Sequence, residues 1–136
     1  MNVKGKILCI DDNPAFLRGL YRQLSGLHDV VLACGVEEGL SALATKGPFN
    51  VIICDLRMPG VQGLTFLDYL RDNVPDAERL ILTGWADPVT INVAATNGRA
   101  MRLLAKPCPT PVLREAVCDA LIRYRARHLR DAGFAA

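Results

Sequence analysis

Nowhere in this sequence is there an apolar run long enough to cross a bilayer, and the opening Met1-Asn2-Val3-Lys4-Gly5-Lys6 carries no apolar region of the secretory kind. The expectation is a cytoplasmic protein without a membrane partner. Charge of one sign is equally scarce. Sixteen basic and 14 acidic side chains leave a net charge of +2, too little to argue for nucleic acid or an anionic surface as partner. Cysteine pairs are missing: Cys9, Cys34, Cys54, Cys108 and Cys118 are odd in number and none forms a CxxC, which argues against a zinc site or a disulfide framework. Cys9 and Cys54 sit inside apolar runs, where a thiol behaves as a small hydrophobe. There is no internal repeat, no low-complexity tract and no composition break that would mark a second domain. With 136 residues, 51% of them apolar and 22% charged, the chain has the material for one buried core rather than disorder. Residues 1–136 read as a single domain with a core of about 5–130, the last helix extending beyond it as a linker.

What the sequence does have is four short apolar runs, each ending on a chemically loaded residue. Ile7-Leu8-Cys9-Ile10 leads into Asp11-Asp12, and Val51-Ile52-Ile53-Cys54 into Asp55. Leu80-Ile81-Leu82 reaches Thr83, and Leu103-Leu104-Ala105 reaches Lys106-Pro107. Strand and helix signals alternate along the whole chain. Strands are expected at about 6–10, 30–33, 51–54, 79–83 and 101–105. Asn13-Pro14, Asp87-Pro88 and Thr110-Pro111 each place a capping residue before a proline that opens a helix. The second helix, 36–45, carries Leu40, Leu43 and Ala44 on one side, and the third, about 63–72, carries Leu64, Leu67 and Leu70 in register. Residues 57–60 read as a loop, Gly47-Pro48 and Pro75 as breaks, and Asn97-Gly98 as a helix stop. Five such units predict an α/β fold, a doubly wound parallel sheet of order 2-1-3-4-5, flavodoxin-like. In that order the first and third strands flank the topological switch point, so Asp11, Asp12 and Asp55 converge at the sheet's carboxyl edge.

Three carboxylates held that close repel one another, and a hard divalent cation relieves the repulsion. Mg²⁺, with Mn²⁺ as the alternative, suits a site with few protein oxygens that keeps waters and a substrate phosphate. The division of labour puts Asp11 and Asp12 on the metal and Asp55 as the nucleophile toward phosphorus. Thr83 and Lys106 would hold the remaining phosphoryl oxygens and offset their charge in the transition state. Taken singly, each piece has a plainer reading: an Asp-Asp pair before a helix can be a cap, Asp55 a turn residue, Lys106-Pro107 a strand terminator. Jointly, four loaded strand ends in the right order make a phosphoryl site.

With Asp11-Asp12, Asp55 followed by Leu56-Arg57-Met58-Pro59-Gly60 and Gly63, Thr83-Gly84 and Lys106-Pro107, the chain resembles a response-regulator receiver domain of two-component signalling. The likeness covers about 5–130. It implies that Asp55 is the phosphoacceptor and that Asp12 and Asp55 bind the metal directly. Asp11 would bind it mostly through water, and the backbone carbonyl of Arg57 would complete the set. Thr83 would be the switch hydroxyl and Lys106 the phosphate-binding lysine. The donor would be a sensor histidine kinase or a histidine phosphotransfer protein, and the domain a signalling switch rather than an enzyme with its own substrate. Two positions depart from the pattern. Leu103 stands where the family usually has the aromatic switch residue, and Gln62 where an aspartate is frequent. The stretch from Asn97 to Pro107 is similar to receivers joined to HD-GYP phosphodiesterase domains, no such domain being present in these residues.

Other classes fit less well. A haloacid-dehalogenase phosphatase needs an acid two residues after its nucleophile, but Arg57 follows Asp55 and Asn13 follows Asp11 at that spacing. A Rossmann-like nucleotide module needs a GxGxxG after the first strand, which is absent. A degenerate receiver serving only as scaffold would not keep all five site residues. Two further expectations concern surfaces. Arg57 and Trp85, beside Gly84, should flank the mouth of the site, as solvated side chains or as a lid that slows hydrolysis. The last helix should bury Leu113, Val117, Leu121 and Tyr124. Its basic end, Arg123 to Arg130, would then support a weak homodimer through helix 4, strand 5 and helix 5, against Asp76, Glu78 or Asp119 of a second copy.

Overall fold

Runs that are apolar at both alternations, such as Ile7–Ile10 and Val51–Cys54, must be covered on both faces, and only a parallel sheet between helices does this. The computed structural model describes residues 4–58, 61–84, 88–131 and 133. The elements are β1 (Lys6–Asp11), α1 (Pro14–Leu24), β2 (Asp29–Cys34), α2 (Val36–Thr45), β3 (Val51–Cys54), β4 (Arg57–Met58), β5 (Val61–Gln62), α3 (Gly63–Asn73), β6 (Glu78–Thr83), α4 (Pro88–Ala95), β7 (Arg102–Ala105) and α5 (Thr110–Asp131). The main sheet is parallel with order β2-β1-β3-β6-β7, which is the expected 2-1-3-4-5 once the two short strands are set aside. Strand and helix boundaries lie within about two residues of the sequence reading wherever a cap or breaker marks them. Asn13 accepts the N–H groups of Ala15 and Phe16 at the start of α1, and Asn97 and Gly98 both take positive φ after α4. An asparagine followed by a glycine is the pair that tolerates this best.

The sheet separates two cores. On one face, Ile7, Cys9, Val51, Ile53, Leu80 and Leu82 pack against Leu17, Leu20 and Leu24 of α1 and Leu113, Val117 and Leu121 of α5. On the other, Leu8, Ile10, Ile52, Cys54 and Ile81 meet Ala42 of α2, Phe66, Leu67 and Leu70 of α3 and Ala94 of α4. Burying side chains of this size contributes about 1.5–3 kcal/mol each.

Four readings need correction. Residues 57–60 are not simply a loop, because Arg57 pairs with Gln62 and Met58 with Val61 as a small antiparallel ladder; Pro59 and Gly60 lie outside the described residues. Helix α2 turns Gly39 and Ala42 to the sheet instead of Leu40 and Ala44, and Leu40 stays 37% exposed. A Cβ at position 39 would come within 2.9 Å of Ile10 Cδ1, so the glycine allows the close approach that selects this face. Tyr124 is only partly buried and stacks on His128, ring centroids 4.0 Å apart. Glu78, proposed as a surface acid for a second copy, is buried and paired within its own chain, 2.9 Å from Arg127 Nη2 and 3.9 Å from Arg123 Nε.

Candidate functional site

The switch point forms because β1 leaves its last residue to contact β2 while β3 leaves the sheet beside it. The Asp11 carbonyl accepts Gly35 N–H at 3.0 Å, and Asp55 N–H reaches the Ile10 carbonyl at 3.3 Å. Each buried aspartate is then fixed by the backbone that follows it. Asp11 Oδ1 accepts Asn13 N–H at 2.9 Å, and Asp55 Oδ1 accepts Arg57 N–H at 3.0 Å. Their other oxygens converge on one ammonium, with Lys106 Nζ 2.6 Å from Asp11 Oδ2 and 2.8 Å from Asp55 Oδ2. Asp12 is exposed, and one carboxylate oxygen from each of Asp11, Asp12 and Asp55 falls within 4.8 Å of the others.

Lys106 is delivered by β7, whose register sets Ala105 beside Thr83. The Lys106 N–H donates to the Thr83 carbonyl at 2.9 Å, so the buried threonine at the end of β6 and the lysine are joined through backbone. Gly84 lies beside the lysine stem. Leu103, two residues into β7, is partly buried against the α2–α3–α4 core rather than aimed at solvent. Trp85 and the lid built on it lie outside the described residues; Arg57 is exposed.

The electrostatics follow from burial. Desolvation raises the Asp11 pKa above the ordinary carboxylate value, and hydrogen bonds from Lys106 and Asn13 only partly counter it. Burial opposes the Lys106 charge, yet its hydrogen bonds to Asp11 and Asp55 outweigh that and hold its pKa above the usual lysine value. Among the described residues, Lys106 sets one ammonium against Asp11 and Asp55 in a cluster of three carboxylates. A hard, oxygen-seeking divalent cation would match such a donor set, and Asp12 is its solvent-exposed member. The two buried thiols nearby, Cys9 and Cys54, are held protonated. Burial, with Asp11 and Asp55 adding to it, pushes Cys9 and Cys54 up to about 12.

One neighbour was not legible as a site residue. The Phe16 ring, in the first turn of α1, has Lys106 Nζ over it at 4.2 Å from the centroid. Periodicity assigns Phe16 to the core-facing side of α1. The signal that could have found it is its position: three residues past the N-cap, it stands at the carboxyl edge with the acids.

The fold and this cluster define a response regulator receiver domain, and a family profile of that description matches residues 7–118. The chain belongs to that family. Over 125 residues it is 30% identical to the hydrogenase transcriptional regulatory protein HoxA of Bradyrhizobium diazoefficiens, covering 92% of this chain and 26% of that protein. The chain thus spans about a quarter of that relative's length. Among solved structures it is similar to one described as adenylate cyclase from Rhodopirellula baltica, with TM-score 0.88, 30% identity and 96% of each chain covered. It is also similar to the response regulator TrrA of Thermotoga maritima in complex with Mg²⁺ and BeF, with TM-score 0.72, 25% identity, 85% of this chain and 98% of that one.

Proposed function

We propose that Asp55 accepts a phosphoryl group in a Mg²⁺-dependent reaction and that the domain acts as a phosphorylation-dependent switch. The observation that carries this reading is one ammonium, Lys106, bridging Asp11 and Asp55 within a three-carboxylate cluster at the switch point. An Asp55 carboxylate oxygen attacks phosphorus while the bond from phosphorus to the donor breaks, the electron pair leaving with the donor. The product is an aspartyl phosphate. Asp11, Asp12 and Asp55, with the Arg57 carbonyl, would hold the metal. When bound, Mg²⁺ (or Mn²⁺) neutralises carboxylate charge and polarises the donor phosphate. Lys106 moves its hydrogen bond from Asp11 to a phosphoryl oxygen, and the Thr83 hydroxyl takes another. The structure of TrrA, to which this chain is similar, is a complex with Mg²⁺ and BeF, which supports the same choice of cation here.

The donor is a sensor histidine kinase or a histidine phosphotransfer protein, and the setting is cytoplasmic. The domain is a signalling partner rather than an enzyme acting on a separate substrate. No helix among the described residues is long and apolar enough to cross a membrane.

Incubation with acetyl phosphate, with Mg²⁺ or with EDTA, followed by intact mass, tests the assignment. The parent gains one phosphoryl group with Mg²⁺ only, and Asp55→Asn gains at least about 100-fold less, the scale expected for loss of the nucleophile. Equal gain by the variant would overturn the role of Asp55, and equal gain in EDTA the role of the metal.

A further inference from the structure

We infer that Phe16 is a positioning residue for phosphoryl transfer, holding the Lys106 ammonium in place while it exchanges one carboxylate for a phosphoryl oxygen. The inference rests on the phosphoacceptor reading and deepens it. An ammonium has three N–H donors. Two point at Asp11 and Asp55, 2.6 and 2.8 Å away, and the face of Phe16 covers a further side at 4.2 Å. The ring is itself well anchored. Phe16 N–H donates to the Asn13 cap at 3.2 Å, while Asn13 N–H holds Asp11 at 2.9 Å. One residue therefore sets both the carboxylate and the ring, and the ring packs onto the α1–α5 core.

The value of the ring lies in what changes when the site is loaded. A divalent cation on the carboxylates draws off their charge and weakens their grip on Lys106. The attraction of the Phe16 face for a cation does not depend on those carboxylates. It persists through the exchange and keeps a four-carbon, many-rotamer side chain over the reacting centre. An aliphatic residue of similar volume would fill the space but would not attract the charge.

The test compares Phe16→Leu, Phe16→Tyr and Phe16→Trp by initial rate of phosphoryl gain from phosphoramidate and acetyl phosphate at saturating Mg²⁺, each also in a Lys106→Met background. Phe16→Leu is expected to slow the rate about 3- to 30-fold, and the two aromatic variants to stay within about twofold of the parent, with Mg²⁺ affinity by calorimetry unchanged in all. In the Lys106→Met background the leucine change should cost nothing more. An equal loss in both backgrounds would make the ring a packing residue only, and a parent-like rate for Phe16→Leu would also overturn the inference. Ring-current shifts of the Lys106 methylene protons by NMR, present in the parent and lost in Phe16→Leu, read the contact independently; their absence in the parent defeats it. A parent that gains no phosphate would defeat the phosphoacceptor reading and the rate claim with it, whereas a phosphorylated parent with an indifferent Phe16 defeats only this inference.

Discussion

His28 shows how a single buried side chain ties stability to pH. It is 7% exposed, and its Nδ1 accepts Gly5 N–H at 3.2 Å, which requires the neutral ring. Burial, followed by the charges of Arg114 and Lys4, lowers its pKa below the ordinary 6.5. The unfolded chain thus binds a proton that the folded chain refuses between the lowered value and 6.5. The stabilisation is present in full above pH 6.5 and is lost as pH falls through that window. His28→Asn keeps an acceptor near the Nδ1 position and does not titrate. Its urea-unfolding stability should fall less between pH 7 and pH 5 than that of the parent. Asp11 titrates alike in both proteins, so the difference reports His28, and parallel losses would contradict the assignment. At this scale the sequence was a good guide to which strand-end residues come together, as with Asp11, Asp55 and Lys106, with Thr83 beside the lysine through backbone. It was a poor guide to Phe16 and His28, whose contacts lie 90 and 23 residues away in the chain.

At the scale of elements, α5 is held at its far end by an ion pair that no local pattern announces. Glu78 begins β6 and Arg127 lies 49 positions later, yet they meet at 2.9 Å, and Arg127 also donates to the Pro75 and Asp76 carbonyls. The basic run read as a free surface is thus partly satisfied in its own chain. Among the described residues, Arg127→Ala would leave the buried Glu78 with the distant Arg123 as its ion-pair partner, 3.9 Å away and mostly exposed. The expected cost is about 1–2 kcal/mol of unfolding free energy in urea, below the value for a fully buried pair because Arg127 is about one-third exposed. No change in stability would show that solvent already satisfies Glu78. A comparable fastening works just past the carboxyl end of α4, from the residue next to Glu78. Arg79 donates to the carbonyls of Val74, Ala77, Gly98 and Arg99, and Arg99 pairs with Asp68 of α3 at 2.7 Å. Element order and strand ends could be read because caps, prolines and uninterrupted apolar runs are local signals. The β4–β5 ladder is too short for any period to reveal. The buried face of α2 depends on Gly39, whose meaning appears only against Ile10.

For the whole molecule, association is the open quantity. Ile122 and Leu129 of α5 are 50% and 56% exposed, and Val89 of α4 is 72% exposed. These exposed side chains put apolar area on the two helices that the proposed dimer would use. With Glu78 withdrawn into its own chain, Asp76 and Asp119 remain for the partner's arginines. Exposed pairs contribute only about 0–1 kcal/mol each, so the proposed dimer should be weak. Sedimentation velocity with Mg²⁺ is expected to show mostly monomer, shifting toward dimer on addition of beryllofluoride. An unchanged monomer in both conditions would exclude activation by dimerisation. Leu103 makes this a demanding test, since it offers no ring for the proposed Thr83 switch to draw inward.

The sheet itself has a consequence for how such a protein can change over time. Its two cores share strands but few side chains: Leu103 belongs to one and its neighbour Leu104 to the other. The five strands act as a bulkhead between two compartments. Repacking on the α1–α5 side reaches the α2–α3–α4 side only through backbone displacement, which paired neighbours on both flanks resist in β1, β3 and β6. One compartment can drift in sequence while the other is kept. The site straddles the wall at its rim, so it draws on both without belonging wholly to either.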